Sequence, residues 1–455
     1  MRKKRNFGSM MVTVALLAII GGVVYLYNSA MFERDKPTIE IENSGYWNLR
    51  APLKIKIDDA SGLLSYKVTL LSGTETFVLS DEQFAAPQGT QLLEIETPKR
   101  AYALKSKEVK IMVEAKDASK WNFLAGNESS REITLKVDKK RPYVATIAAS
   151  YRIMKGGSAV VIFKAEDDNM EEFYVESNFG KRFIAQPFYK EGYYVTLLAW
   201  PVTEDKPFAA YITAKDSAGN IGKVKVPVIP YNKSYKVSKI NLSDSFLNGK
   251  VSELAYAYGV EDDADLISRF KFVNEEMRKN NEDVIHNITS KVSDTMISSF
   301  PLNKMYPLKN GQVVAQFGDH RIYSYQGEVI SEAYHVGIDL ASNAMSPIKT
   351  QNPAVVAYAE ENGIYGNMPV LYHGLGLYTI YGHCSSMMVK EGDSLSSNST
   401  VAKTGLSGYA MGDHLHFGVL VQGIEVRPQE WMDQDWIRKS ITDPMRQARK
   451  LINQR

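Results

Sequence analysis

The placement of its histidines restricts the fold of this chain more than any other feature. Six of the seven lie between His320 and His416, and they recur in three short patterns: His335-Val-Gly-Ile-Asp339, Tyr381-Gly-His383 and His414-Leu-His416. In an extended segment successive side chains point to opposite faces, so residues two or four apart share a face. His414 and His416 can therefore share one cavity, and His335 and Asp339 can do so if their segment is extended. Gly337 between them admits the close approach of another backbone or of a ligand. Two imidazoles and one carboxylate suit a borderline ion such as Zn²⁺. Three protein ligands leave the fourth tetrahedral position open, which separates a hydrolytic site from a structural one.

The residues around these patterns carry a wider signature: Phe317-Gly318, His373-Gly-Leu-Gly376, Tyr378-Thr-Ile-Tyr381, Val389-Lys-Glu-Gly392-Asp393, Thr404-Gly405 and Gly412-Asp-His414-Leu-His416-Phe417. In this order they resemble the LytM or lysostaphin-type M23 family of zinc metallopeptidases. The resemblance implies that His335, Asp339 and His416 bind one Zn²⁺, while His383 and His414 flank the reacting water. Of these two, His414 is the expected general base and His383 the group that stabilises developing charge, or the roles are exchanged. Proton transfer of this kind typically contributes about 10²–10⁴-fold.

Three positions depart from the commonest family pattern. Cys384 stands where an aliphatic residue usually follows, Gly418 where Glu often follows His-Leu-His-Phe, and Asn398-Ser-Thr400 replaces a Gly-Gln turn. None removes a ligand. Cys384 is the only cysteine, so no internal disulfide forms. As a strand neighbour of His383 its side chain should face away, which makes it structural. His373 reads as a hairpin-turn residue and His320 as an ordinary loop residue rather than a lining of the groove.

At 455 residues the length suits roughly three domains. A net charge of +2, with no aromatic-basic interleaving, gives no reason to expect nucleic acid. Residues 10–27 carry no charge and as a helix would span about 27 Å, close to the hydrocarbon thickness of a bilayer. Arg2, Lys3, Lys4 and Arg5 precede this stretch, so the positive-inside rule places the N-terminus in the cytoplasm and the rest outside. A cleaved signal peptide is the competing reading. The apolar core is longer than such peptides use and Asn28-Ser-Ala30 is a poor cleavage site, which favours an uncleaved anchor.

The expected fold class is mainly β, arranged after a cytoplasmic tail (1–9) and a single transmembrane helix (10–28). Residues 36–138 and 139–230 read as two tandem immunoglobulin-like β-sandwiches, because Val113-Glu-Ala-Lys-Asp117 has a counterpart about one such domain later in Ile212-Thr-Ala-Lys-Asp216. Residues 240–298 turn helical. Leu266, Ile267, Phe270, Val273 and Met277 form one stripe, and Val284, Ile285, Ile288 and Val292 continue in a second segment after Asn280-Asn281. This segment is either a spacer or a regulatory border of the zinc groove. A LytM-type antiparallel β domain (304–430) and a helical surface tail (431–455) complete the chain.

Taken with the resemblance, this organisation implies a membrane-held zinc endopeptidase that cuts peptide cross-links of bacterial peptidoglycan outside the cytoplasm, for wall remodelling or cell shape. The rival is a non-catalytic LytM-like module that binds wall or activates an amidase. Such modules usually lose ligands, whereas all five residues are present here. The expected partners are peptidoglycan stems and, through the N-terminal helix, the membrane; a regulatory protein is left open.

Overall fold

The computed structural model describes residues 7–454. The basic cluster Arg2 to Arg5 and the terminal Arg455 lie outside the described residues. The chain is mostly β and opens with the helix Phe7–Asn28. Within it Met10–Asn28 is long and apolar enough to cross a membrane, and none of that span is buried against protein. A signal sequence would have the same properties.

Two compact units follow from the packing. The first holds residues up to 142 together with 167–171 and 215–221. It contains a three-stranded sheet (Thr38–Ile41, Leu53–Asp58, Gln91–Ile95) and a five-stranded sheet built around Glu108–Asp117. Leu53–Asp58 alternates buried and exposed residues, and its inward Leu53, Ile55 and Ile57 join Val109, Ile111 and Val113 in one core. The repeat seen in the sequence has a structural counterpart. Asp117 Oδ1 accepts from the backbone N–H of Ser119 and Asn127, and Asn127 Nδ2 donates to Asp117 Oδ2 at 2.7 Å. Asp216 accepts in the same way from Ala218 and Asn220, with Asn220 Nδ2 donating at 2.8 Å. Each buried aspartate thus satisfies the turn that follows its strand.

The second unit holds residues 143–166, 172–214 and 222–455. A four-stranded sheet centred on Ser158–Glu166 and Tyr193–Ala199 lies in its N-terminal part. Its C-terminal part is organised by an eight-stranded antiparallel sheet in which Leu415–Val421 sits between Ile338–Ala341 and Leu377–Gly382. Every residue of Leu415–Val421 is buried, which is why this strand reads as an apolar run interrupted only by His416 and Gly418. A three-stranded sheet adds Val237–Asn241 in parallel to His320–Tyr325, followed by Glu328–Tyr334.

The helical stretch differs from its sequence reading in one respect. Helix Leu266–Lys271 starts at Asp265, whose side chain accepts from the N–H of Ile267 and Ser268, and Phe270, Val273 and Met277 are buried as the stripe requires. There is no break at Asn280-Asn281. The helix Arg278–Thr289 runs through it and buries Asn281, Ile285 and Thr289, while Val284 is exposed. Asn281 is buried because its Oδ1 accepts from Ile364 N–H at 2.9 Å and its carbonyl accepts from Asn362 Nδ2 at 3.1 Å. A polar residue at a contact face resembles a helix stop when only its type is known.

The expected surface tail is likewise corrected. Ile437, Ile441, Met445, Ala448 and Ile452 are buried, and helix Asp443–Asn453 packs on strands Tyr143–Ala149 and Ser158–Glu166. Nearby Glu430 is buried with its carboxylate oxygen accepting from Ser158 N–H at 2.9 Å. Burial pushes its pKa up to about 8.

Candidate metal centre

Asp339 and His416 are direct cross-strand partners, since Ile338–Ala341 and Leu415–Val421 pair antiparallel with Asp339 opposite His416. Opposed residues in an antiparallel pair place their side chains on one face within contact distance. His335 arrives differently. It precedes the strand rather than lying in it, and it is held by backbone bonds from Gly318 N to its carbonyl and from its own N to Asp319. The extended-segment expectation for His335 to Asp339 therefore holds only from Ile338 onward.

Three ligand atoms meet. His335 Nε2 lies 3.0 Å from Asp339 Oδ1 and 3.2 Å from His416 Nδ1, and His416 Nδ1 lies 2.9 Å from the same Oδ1. His335 Nδ1 is 2.8 Å from the Gln316 carbonyl. A carbonyl only accepts, so the proton sits on Nδ1 and Nε2 presents a lone pair. An imidazole lone pair thus faces a carboxylate oxygen at contact distance, an arrangement that a cation between them relieves. Tetrahedral ligands about 2.0–2.1 Å from zinc lie roughly 3.3 Å apart, so the donor set fits the ion in both chemistry and spacing. Burial pushes the Asp339 carboxyl upward, but the imidazoles of His335 and His416 beside it outweigh burial and hold the group well below the usual carboxylate range.

His416 directs Nδ1 to the meeting point, and its Nε2 is buried with no hydrogen-bond partner among the described residues. That edge of the ring lies against Gly337. A Cβ at position 337 would stand 2.5 Å from His416 Nε2 and Cε1 and 2.9 Å from the Phe417 carbonyl. The close approach anticipated at Gly337 is thus made by the imidazole itself. Gly337→Ala should displace the ring by at least several tenths of an ångström and lower metal affinity by about 10–100-fold, the range seen when groups that orient a ligand are lost; equilibrium metal titration against a competing chelator measures it.

His383 and His414 stand beside this trio. His414 Nε2 is 3.9 Å from Asp339 Oδ2, and the His383 ring is 4.7 Å from that of His414 and 5.9 Å from that of His416, centre to centre. His383 lies just beyond strand Leu377–Gly382 with φ 64°, a left-handed conformation uncommon among non-glycine residues but less so for histidine. Its N–H is fixed to the Tyr365 carbonyl at 2.8 Å. His383 Nδ1 donates to the Ser407 carbonyl at 2.9 Å and His414 Nδ1 to that of Gly412 at 2.7 Å, so each Nε2 is left as an acceptor. Burial, with the neighbouring His416 and His414, pushes His383 down to about 3.

The remaining sequence candidates fall outside the centre. His373 is a residue of strand Asn367–Gly374, two positions before the turn rather than in it, and its Nε2 lies 2.8 Å from Thr379 Oγ1. His320 is a strand residue rather than a loop residue, stacked on Tyr334 and 2.9 Å from Glu332. Cys384 is fully buried with Sγ on the Tyr381 carbonyl, and burial pushes its thiol up to about 12. This burial agrees with the structural role expected, although the left-handed backbone at His383 breaks the strand alternation from which that role was read. Gly418 faces Ile380, whose Cγ1 would lie 2.5 Å from a Cβ there, so the space of the usual Glu is filled. Asn398 takes φ 69°, the conformation a glycine would otherwise supply.

An open cleft of about 220 Å³ runs over the five residues, and Arg278, Arg321, Tyr365, Tyr409 and Met411 also line it. The sequence reading missed these. They come from four separate segments and share no spacing with the histidines.

Two buried imidazoles and a carboxylate converge at the floor of an open cleft, grouped as ligands of one metal ion would be. Residues 333–428 match peptidase family M23, so the chain carries an M23 peptidase domain in its C-terminal part. It is similar to the DD-carboxypeptidase/endopeptidase Mpg of Neisseria meningitidis serogroup B, 30% identical over 94 residues, which is 21% of this chain and 22% of that protein. It is also similar to the peptidoglycan DD-endopeptidase ShyA of Vibrio cholerae, 29% identical over 119 residues, 26% and 27% of the two chains. The chain thus spans about a quarter of the length of these relatives. Among solved structures, an M23 peptidase from Pseudomonas aeruginosa aligns with TM-score 0.39 and 19% identity, covering 61% of this chain and 94% of the other.

Proposed function

We propose that the protein is a zinc-dependent endopeptidase that hydrolyses peptide cross-links of peptidoglycan outside the cytoplasmic membrane, held there by its N-terminal helix. The observation that carries this reading is the meeting of His335 Nε2, Asp339 Oδ1 and His416 Nδ1 within 3.2 Å of one another, below a cleft that His383 and His414 flank. The substrate class rests on the similarity to enzymes named peptidoglycan endopeptidases.

His335, Asp339 and His416 would hold the ion. Bound zinc supplies Lewis-acid polarisation of a carbonyl and acidification of water. The chain's own contribution is proton handling. His414, half-buried and outside the trio, takes the proton from the attacking water through Nε2 and returns it to the leaving amine. His383 also presents an acceptor, because its Nδ1 is committed to Ser407; it therefore orients the water. Stabilising an oxyanion would require it to donate, which this tautomer does not allow. Tyr365 packs edge-on against His416, the ring centres 5.6 Å apart.

The test is incubation of the full chain, in detergent micelles, with purified sacculi, with and without chelator and with zinc restored. Release of un-crosslinked peptides that chelator stops and zinc restores is the expected result. Tight binding to sacculi without any release would replace this reading with a non-catalytic wall-binding role.

A further inference from the structure

One wall of the cleft is electropositive although the metal-holding floor is not. Arg278 of helix Arg278–Thr289 and Arg321 of strand His320–Tyr325 both line it. Arg278 is positioned by neutral acceptors: Nε donates to the Asn274 carbonyl at 3.2 Å and Nη2 to Asn274 Oδ1 at 3.1 Å. Its acidic neighbour Glu282 stays 4.0 Å away, and burial pushes that carboxyl up to about 7, so it offsets the guanidinium incompletely near neutral pH. Arg321 contacts Asp319 Oδ2 at 3.5 Å through Nε, while the other oxygen of Asp319 accepts from Ser238. Among the described residues its terminal nitrogens have no hydrogen-bond partner and remain for another acceptor.

Tyr409 lines the same wall, near enough to feel the charge of both arginines. Its hydroxyl is buried and has no hydrogen-bond partner among the described residues. Two guanidinium groups that only donate stand beside an unsatisfied hydroxyl that can donate, and a planar anion with several lone pairs is the ligand that answers them. The nearest carboxylate in the cleft, Asp339, is committed to His335 and His416.

We infer that Arg278, Arg321 and Tyr409 form a carboxylate subsite that holds a free carboxylate of the peptide substrate close to the scissile bond. The inference rests on the peptidase reading above and deepens it: the enzyme prefers peptides carrying a carboxylate beside the cleaved bond over the same peptides amidated there. It also assigns the helical segment a direct part in the site. Arg278 comes from that segment, so the segment is one wall of the cleft.

Two peptides that differ only in bearing a carboxylate or a primary amide beside the scissile bond test this, with the full chain as wild type, Arg278→Gln, Arg278→Lys and Arg321→Gln. The ratio of kcat/KM for the two peptides is read on the zinc-loaded protein, and the ratio of Kd on the metal-free protein, with zinc content and melting temperature as folding controls. Loss of a charge-assisted hydrogen-bond pair corresponds to about tenfold or more, so wild type should favour the carboxylate by that factor in both ratios. Either Gln variant should bring both close to one, and Arg278→Lys should restore part, having charge without the planar fork. Equal binding of the two peptides by wild type, or full discrimination retained by both Gln variants, overturns the subsite. Preferential binding of the carboxylate peptide with cleavage of neither overturns the peptidase reading and leaves the subsite standing.

Discussion

Asp339→Ala should leave the protein folded and unable to retain zinc, with peptide hydrolysis lost in consequence. Asp339 supplies the only negative charge among the three converging groups, and its Oδ1 is the atom that both imidazole nitrogens approach. Without it a divalent cation would meet two neutral donors in a buried site, with no charge to offset its desolvation. Losing groups that merely orient ligands costs about 10–100-fold in affinity, so loss of a charged ligand should exceed a hundredfold. Elemental analysis after exchange into metal-free buffer measures it. Asp339→Asn, which keeps the shape and one oxygen, should fall between. Full zinc occupancy in Asp339→Ala would refute the ligand assignment.

His414→Ala should show the opposite pattern, keeping most of its metal and losing turnover by about 10²–10⁴-fold, the usual weight of a positioned proton-transfer group. The separation follows from distance. His414 Nε2 stands 3.9 Å from Asp339 Oδ2 and takes no part in the close contacts of the trio. Its Nδ1 is tied to the Gly412 carbonyl, which leaves a basic nitrogen at the cleft. Steady-state kinetics beside metal analysis distinguishes the outcomes. Turnover unchanged in His414→Ala would pass the base role to His383, and metal loss would make His414 a ligand.

The parts of the site that could be read in advance are those governed by local periodicity. His414 and His416 share a face because one residue separates them on an extended segment. Asp339 and His416, by contrast, meet through strand register, which depends on how segments 77 residues apart in sequence pair. The left-handed backbone at His383 carried no signal, because a histidine there looks like any strand residue. Asn281 misled for a related reason. Its side chain serves a contact with Ile364 on another segment, and residue type alone suggested a helix end.

By itself the sequence determined the chemistry on offer and the type of most elements: which side chains can ligate, which stretches alternate or repeat as strands or helices do, and which span is apolar enough for a bilayer. These follow from bonded geometry and side-chain identity over a few residues. Tertiary structure alone decided that His416 reaches the centre through Nδ1 with its ring against Gly337, that the tail buries its apolar face on a sheet nearly three hundred residues earlier, and that a helix places Arg278 in the cleft. Each depends on close packing between segments remote in the chain, where a few tenths of an ångström settle which atoms meet.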